Sequence, residues 1–290
     1  MKVLVTGAAG TLGREVVAHL SANGQSVRAD DRVPLDPASA AEVSSGDLLS
    51  PEHARAIVAG TSAVVHIAAI PSPMPGRSQE VFSNNVLSAY QVLTAAGDAG
   101  VPRIVYVSSL SALGFAYAKR EASPEQVPVT EAHPFVAEDV YGLSKYLGEG
   151  IAQTTALKSG STVVSLRFPF LGHGARLKGH LGWVDEDPGR DRGGLWGWLD
   201  TRDAARAIEA ALTRELTGHQ LIQVVAPDTT SSIPTEELLR RYHPNSVLTR
   251  PVSGFETVFS TERSRELLGF TAIHGWREDA AVRPSGDHEH

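Results

Sequence analysis

Tyr141 and Lys145 stand four residues apart in DVYGLSKYLGEG (139–150), a spacing that places both on one face of a helix. A free phenol has a pKa near ~10 and is a poor base at neutral pH. An ammonium one helical turn away stabilises phenolate, which makes such a phenol usable as an acid and a base. Tyr/Lys pairs at this spacing arise often by chance. Their meaning rests on the elements that position them.

A glycine-rich turn supplies the first part of that context. KVLVT (2–6) reads as a strand and runs directly into TGAAGTLG, with glycines at 7, 10 and 13. Glycine is needed where the chain turns sharply and where backbone must approach a pyrophosphate without a Cβ in the way. A helix from Thr11, Leu12 and Gly13 onward points its first amides and its dipole at that anion. The second strand ends in RADDR, where Asp31, with Asp30 as the near alternative, accepts hydrogen bonds from an adenosine ribose. A carboxylate there repels a 2′-phosphate by about 4 kcal/mol at ~4 Å and an effective dielectric of ~20. NAD is therefore favoured over NADP, and the adjacent Arg32 works in the opposite direction. GDL (46–48) offers Asp47, beside Leu48, to the adenine.

The wider pattern alternates strands with helices. SVRAD (26–30), AVVHI (63–67), RIVYVS (103–108) and TVVSLRF (162–168) read as further strands. Near-continuous apolar runs are expected of parallel strands covered on both faces. Helices are expected over 11–23, over 51–59 with Ser50 as N-cap, over 79–99 and over 140–158. This order predicts an α/β fold, a Rossmann-type doubly wound parallel sheet. After 168 the chain reads as a glycine-rich, charged loop to about 194. A helix (203–215), a strand (221–226), a helix after Pro234 and the segment STERSRELLGF (260–270) follow. The expected division is a dinucleotide-binding domain at 1–168, a smaller and partly interleaved substrate lobe at 169–275, and a disordered tail at 276–290.

Composition removes several classes of function. A formal net charge of -7 leaves no basic footprint, so neither nucleic acid nor anionic membrane is an expected partner. The chain has no cysteine, which excludes disulfides, zinc–thiolate sites and cysteine nucleophiles. No metal site is expected, and the His and Glu residues at 288–290 read as polar tail. No apolar run approaches 18 residues, and the start is too short for a signal-peptide core. A cytoplasmic protein is expected.

With these motifs in order, the chain resembles the extended short-chain dehydrogenase/reductases, the NAD-dependent epimerase/dehydratase group, over roughly 1–270. The likeness lies in TGxxGxxG at 6–13, HIAA at 66–69, Asn85 in NNVLSAYQVLTAA, VYVSSLSALG at 105–114 and YGLSK at 141–145. It implies that Ile67, Ala68 and Ala69 lie along the cofactor, and it adds Asn85 to the cofactor-binding set. Tyr141 becomes the acid/base, and Lys145 its modulator and a holder of the nicotinamide ribose. Counting back from Gly114, the family's catalytic Ser/Thr falls on Ser109, with Ser111 nearby as a substrate contact. The resemblance also implies a homodimer through the helices 79–99 and 140–158.

Departures narrow the branch. Sugar-nucleotide dehydratases carry Thr-Asp-Glu where this chain reads Ser109-Leu110-Ser111, so the acid that eliminates water is missing. Epimerases usually carry an Asn where Phe168, Pro169 and Phe170 stand. VTGAAGTLGREV, PLDPA and LWGWLDTRDAA are similar to the uronate dehydrogenase branch, although that branch has an Asn where this chain has Leu110. The expected activity is NAD-linked hydride transfer between nicotinamide and a secondary alcohol or its ketone or lactone counterpart, on a sugar-like or small hydroxy compound. Two alternatives stand beside it: an epimerase that retains its NAD, and a dinucleotide-sensing regulator. Arg192, with Arg190, is a candidate clamp for an acidic substrate, and Trp196 with Trp198 is a candidate cleft wall, weighed against simple packing.

Overall fold

The computed structural model describes residues 1–120, 122–279, 281 and 282. In chain order the first half holds β1 (Lys2–Thr6), α1 (Thr11–Ala22), β2 (Ser26–Asp31), β3 (Glu42–Ser45), α2 (Pro51–Val58) and β4 (Ala63–His66). These are followed by α3 (Ser78–Asp98), β5 (Arg103–Ser109), β6 (Gln126–Val127), α4 (Val140–Ser159) and β7 (Thr162–Phe168). The second half holds β8 (Phe170–Leu171), α5 (Gly174–Glu186), β9 (Trp198–Leu199), α6 (Thr201–Thr213), β10 (His219–Gln223), α7 (Thr235–Tyr242), β11 (Val247–Leu248) and α8 (Glu262–Leu268).

Seven strands form one parallel sheet in the order β10-β7-β5-β4-β1-β2-β3. The order reverses beside β1, which opens a crevice at the carboxyl ends of β1 and β4. Val3, Leu4, Val5, Val64, Val65, Ile104 and Val105 are fully buried. Helices cover both faces of the sheet, so these strands read as solid apolar runs. The expected Rossmann-type fold is present. Ser50 caps α2 by accepting from His53 N–H at 3.2 Å. Asp139 caps α4 by accepting from Gly142 N–H at 2.7 Å, which starts the Tyr141 helix at a fixed point.

Four expectations need correction. β3 was not anticipated: it is a short, half-exposed edge strand of only four residues, EVSS, with no apolar signature. The stretch 169–194 is not a loop. It contains α5, whose Leu177, Leu181 and Val184 are buried at helical spacing, a pattern masked by Gly174, Gly179 and Gly182. The strand expected at 221–226 is β10, which begins and ends earlier. Val224 N–H still bonds Arg167 O of β7, and by Ala226 the chain has turned to bond Trp198 O of β9. The tail is packed at its start, because Trp276 is buried and its Nε1 donates to Thr229 O at 3.0 Å. Arg277 also donates to Asp228 at 2.8 Å. The remainder of that expectation, including His288 and His290, lies outside the described residues.

The second half is woven into the first. β10 extends the main sheet beside β7, and α6 packs on α1. Two small parallel pairs, β8 with β9 and β6 with β11, stand apart from the main sheet. Among the described residues no helix is long and apolar enough to cross a membrane.

Candidate active site

A cleft of about 860 Å³ runs along the carboxyl ends of the strands. One wall is backbone. Gly7 sits at φ +72, and a Cβ there would come within 2.7 Å of Ala68 N. A Cβ on Gly13 would meet Gly7 O at 2.1 Å. The turn is therefore closed to any side chain at these two positions. Gly10 is the N-cap of α1 and offers no side-chain oxygen, so the first amides at Thr11, Leu12 and Gly13 face the cleft without a cap. Ile67, Ala68 and Ala69 line the same wall.

The choice between the two acids after β2 is resolved by burial. Asp30 is fully buried, accepts from Ser44 Oγ at 2.7 Å and faces His53 Nε2 at 2.9 Å. Burial raises its pKa above the ordinary carboxylate value, against the bonds from Ser44 and His53. Asp31 instead lines the cleft, accepting from Ala9 N–H at 2.9 Å and Val33 N–H at 3.1 Å. Arg32, Asp47 and Leu48 line it too, and Asp47 accepts from Leu49 N–H at 2.9 Å.

At the centre, Ser109, Ser111, Tyr141 and Lys145 converge. Ser109 Oγ accepts from Ser111 N–H at 3.1 Å. Lys145 Nζ donates to Val107 O at 2.8 Å and lies 5.8 Å from the centre of the Tyr141 ring. Burial lowers the Lys145 pKa to about 8, and Glu149 opposes that fall. Burial pushes Tyr141 well above its ordinary value, and the opposing pull comes from Ser109. Desolvation wins because both side chains are almost wholly buried.

Asn85 does not line the cleft. Its Oδ1 accepts from Ile70 N–H at 2.7 Å, and its Nδ2 donates to Ile70 O and to Ser144 Oγ. Ser144 Oγ then donates to Tyr141 O at 2.8 Å. Asn85 thus ties the turn after β4 to the helix that carries the phenol, while its neighbour Asn84 lines the cleft.

The far wall is built from side chains. α5 presents Arg176, His180 and Trp183, joined by Phe170, Tyr117 and Arg190. The His180 ring stacks on Phe170 at 3.9 Å and lies 3.4 Å from Asp191 through Nε2. Two expected contacts fail here. Arg192 is not part of this wall: its backbone carbonyl faces His243 Nε2 at 3.0 Å, and Arg190, paired with Glu186 at 2.6 Å, takes the place. Trp196 is fully buried with Val184 and Leu238, and its Nε1 donates to Pro188 O at 2.8 Å. Trp198 is buried as well, bonded to Asp228. Packing accounts for both indoles. Arg176, His180 and Trp183, which the sequence reading does not single out, recur at i, i+4 and i+7, the spacing of one helix face.

A model of the NAD dependent epimerase/dehydratase family matches residues 3–225. The chain belongs to that family. A uronate dehydrogenase from Pseudomonas syringae pv. tomato is 28% identical over 232 residues, spanning 79% of this chain and 76% of that one. A solved short-chain dehydrogenase/reductase superfamily protein from Agrobacterium tumefaciens, with bound NAD, superposes with a TM-score of 0.72. It is 26% identical and covers 95% of this chain and 93% of that one. The structure of MoeE5 with UDP-glucose and NAD gives a TM-score of 0.72 at 26% identity, covering 97% of each chain.

In this NAD-dependent family member, the residues present fit the dinucleotide. The Gly7–Gly13 cradle leaves space that a Cβ would fill, and the uncapped amides of α1 suit a pyrophosphate. Asp31 borders the cleft where a ribose diol would be read.

Proposed function

We propose that this protein is a net NAD-linked dehydrogenase that oxidises a secondary alcohol or lactol of a small acidic sugar. The observation that carries this reading is Arg176. It lines the substrate wall, spends its Nε on Leu171 O at 2.8 Å, and has no carboxylate partner among the described residues. A guanidinium left with open donors suits a carboxylate, which it meets in a paired fork. The uronate dehydrogenase relative acts on substrates of that kind by its name.

Bound NAD supplies the hydride acceptor. Tyr141 Oη takes the proton from the reacting hydroxyl, and Ser109 Oγ orients that oxygen beside it. Lys145 Nζ holds the nicotinamide ribose and brings a positive charge to the phenol's side of the cleft. Gly7, Gly10, Thr11, Leu12 and Gly13 hold the pyrophosphate, and Asp31 holds the adenosine ribose. Asn85 acts as a positioning residue. An epimerase fits less well, because Phe168, Pro169 and Phe170 line the cleft where that branch usually carries an amide side chain.

The same reading places the protein in the cytoplasm as a homodimer. Phe82, Leu87 and Tyr90 on α3, with Tyr146 and Leu157 on α4, are large apolar side chains left exposed, which suits a helix-to-helix contact between two copies.

Arg176→Ala tests the substrate class. The variant should raise KM for uronates tenfold or more, as roughly expected for a lost charge-assisted pair, while KM for neutral sugars stays level. Equal effects on both substrate classes would overturn the acidic-sugar reading.

A further inference from the structure

A histidine and an acid that the chemistry above does not use stand together in the side-chain wall. His180 lies one turn after Arg176 on α5, and Asp191 lies in the short turn Pro188–Gly194 that follows the helix. The His180 ring stacks on Phe170 with 3.9 Å between centres and 13° between planes. Phe170 is itself packed over Gly172, where a Cβ would come within 2.9 Å of its ring. Arg176 lies 5.0 Å from the centre of the same ring. The plane of the imidazole is therefore set by its neighbours.

Its two nitrogens face different surroundings. Nε2 is buried, has no hydrogen-bond partner among the described residues, and faces Asp191 Oδ2 at 3.4 Å. That separation needs only a small approach to become a hydrogen bond. Thr230 Oγ1 also donates to Asp191 Oδ2, at 3.4 Å, and a Cβ on Gly194 would come within 2.3 Å of Oδ1. The carboxyl is thus held close over its own turn. Burial raises its pKa, and the neighbouring His180 opposes that rise. Nδ1 is the other edge of the ring. Among the described residues it has no hydrogen-bond partner either, and unlike Nε2 it is not shut away from the cleft that His180 lines. A ring placed only to pack against Phe170 needs no acid at one edge.

A neutral imidazole that directs its N–H at a carboxylate carries its lone pair on the other nitrogen. The atom left to the cleft is then an acceptor, which suits a hydroxyl and not a carboxylate. We propose that His180, oriented by Asp191 and Phe170, is a specificity-determining residue whose Nδ1 accepts a hydrogen bond from one hydroxyl of the sugar. The inference rests on the acidic-sugar reading, in which Arg176 takes the acid group. Residues four apart on a helix have Cβ atoms roughly 5–6 Å apart, a span that the carboxylate and a hydroxyl of one monosaccharide can bridge.

The test is steady-state kinetics with added NAD on a parent uronate and on analogues that each lack one non-reacting hydroxyl. Circular dichroism and NADH affinity follow the fold. Two substitutions separate the edges of the ring, because the amide of Gln reaches the Nε2 position and that of Asn the Nδ1 position. In His180→Gln, KM for the parent should rise about threefold to tenfold, the usual worth of a neutral hydrogen bond. KM should stay level for one analogue, the one that lacks the hydroxyl bound by Nδ1. His180→Asn returns an acceptor to the Nδ1 position and should recover most of the loss. If His180→Gln does not fold, Asp191→Asn frees the ring proton from Nε2 and should give the same selective pattern, smaller in size. A KM that rises equally for the parent and every analogue, or does not rise at all, would make His180 a packing residue and overturn the inference. A starting protein that oxidises no uronate would instead refute the acidic-sugar reading, and this inference with it.

Discussion

On the cofactor side of the cleft, Gly7, Gly13, Ile67 and Ala68 meet through backbone atoms, packed so closely that a Cβ on either glycine would collide. On the substrate side, Tyr117, Phe170, Arg176, His180 and Arg190 meet through side chains drawn from separate segments. The first wall leaves no room for side chains and presents amides. The second presents charge and aromatic surface, which single substitutions can retune. The centre, where half-buried Ser109 meets the buried Tyr141 and Lys145, lies between the two.

The largest effect should come at that centre. Tyr141→Phe is expected to lower turnover by about 10²–10⁴, the usual worth of a positioned acid/base, with NADH affinity little changed. Steady-state rates beside a fluorescence titration separate the two quantities. Near-normal turnover would remove Tyr141 from the chemistry.

A smaller effect is expected at the backbone wall, where Asp31 is a side chain among amides. The starting protein should bind NADH at least tenfold more tightly than NADPH, in keeping with a repulsion of about 4 kcal/mol before screening. Asp31→Ala should narrow that gap. Equal affinities before mutation would mean that Arg32 outweighs the carboxylate.

The smallest effect concerns stability. Lys145 has a folded pKa of about 8, below its ordinary 10.5. Between those values the unfolded chain binds more protons, so this residue's contribution to stability rises with pH through that window. At pH 7 the buried charge costs about 3 kcal/mol at most. Lys145→Met should therefore be more stable than the starting protein in urea at pH 7. Its stability should also lose the upward slope between pH 8 and 9.5, below the range where phenols ionise. A less stable variant would mean that the bond to Val107 outweighs desolvation.

The contrast between the walls also explains what the sequence discloses. TGAAGTLG, HIAA and YGLSK are contiguous, and each forces a local backbone arrangement, so the glycine cradle and the Tyr141 helix were legible residue by residue. The sequence favours Asp31 with Asp30 as the near alternative, and burial supplies the physical distinction, because the two adjacent residues face opposite environments. Asn85 reads from the sequence as a cofactor contact, whereas it braces Ile70 and Ser144 behind the cleft, a role set by packing. The side-chain wall was not legible. Three glycines concealed α5, and the charges of the following segment drew attention to Arg192. It is the side-chain face of α5, not the composition of that segment, that brings Arg176 to the cleft.

The measurement that tests the account most directly is absorbance at 340 nm when the purified protein is given NAD with uronates, neutral sugars and hydroxy acids in turn. The account predicts stoichiometric NADH formation with an acidic sugar, dependent on added NAD and abolished in Tyr141→Phe. Protein that arrives with NAD already bound and interconverts UDP-sugar epimers, with no net change at 340 nm, would contradict it.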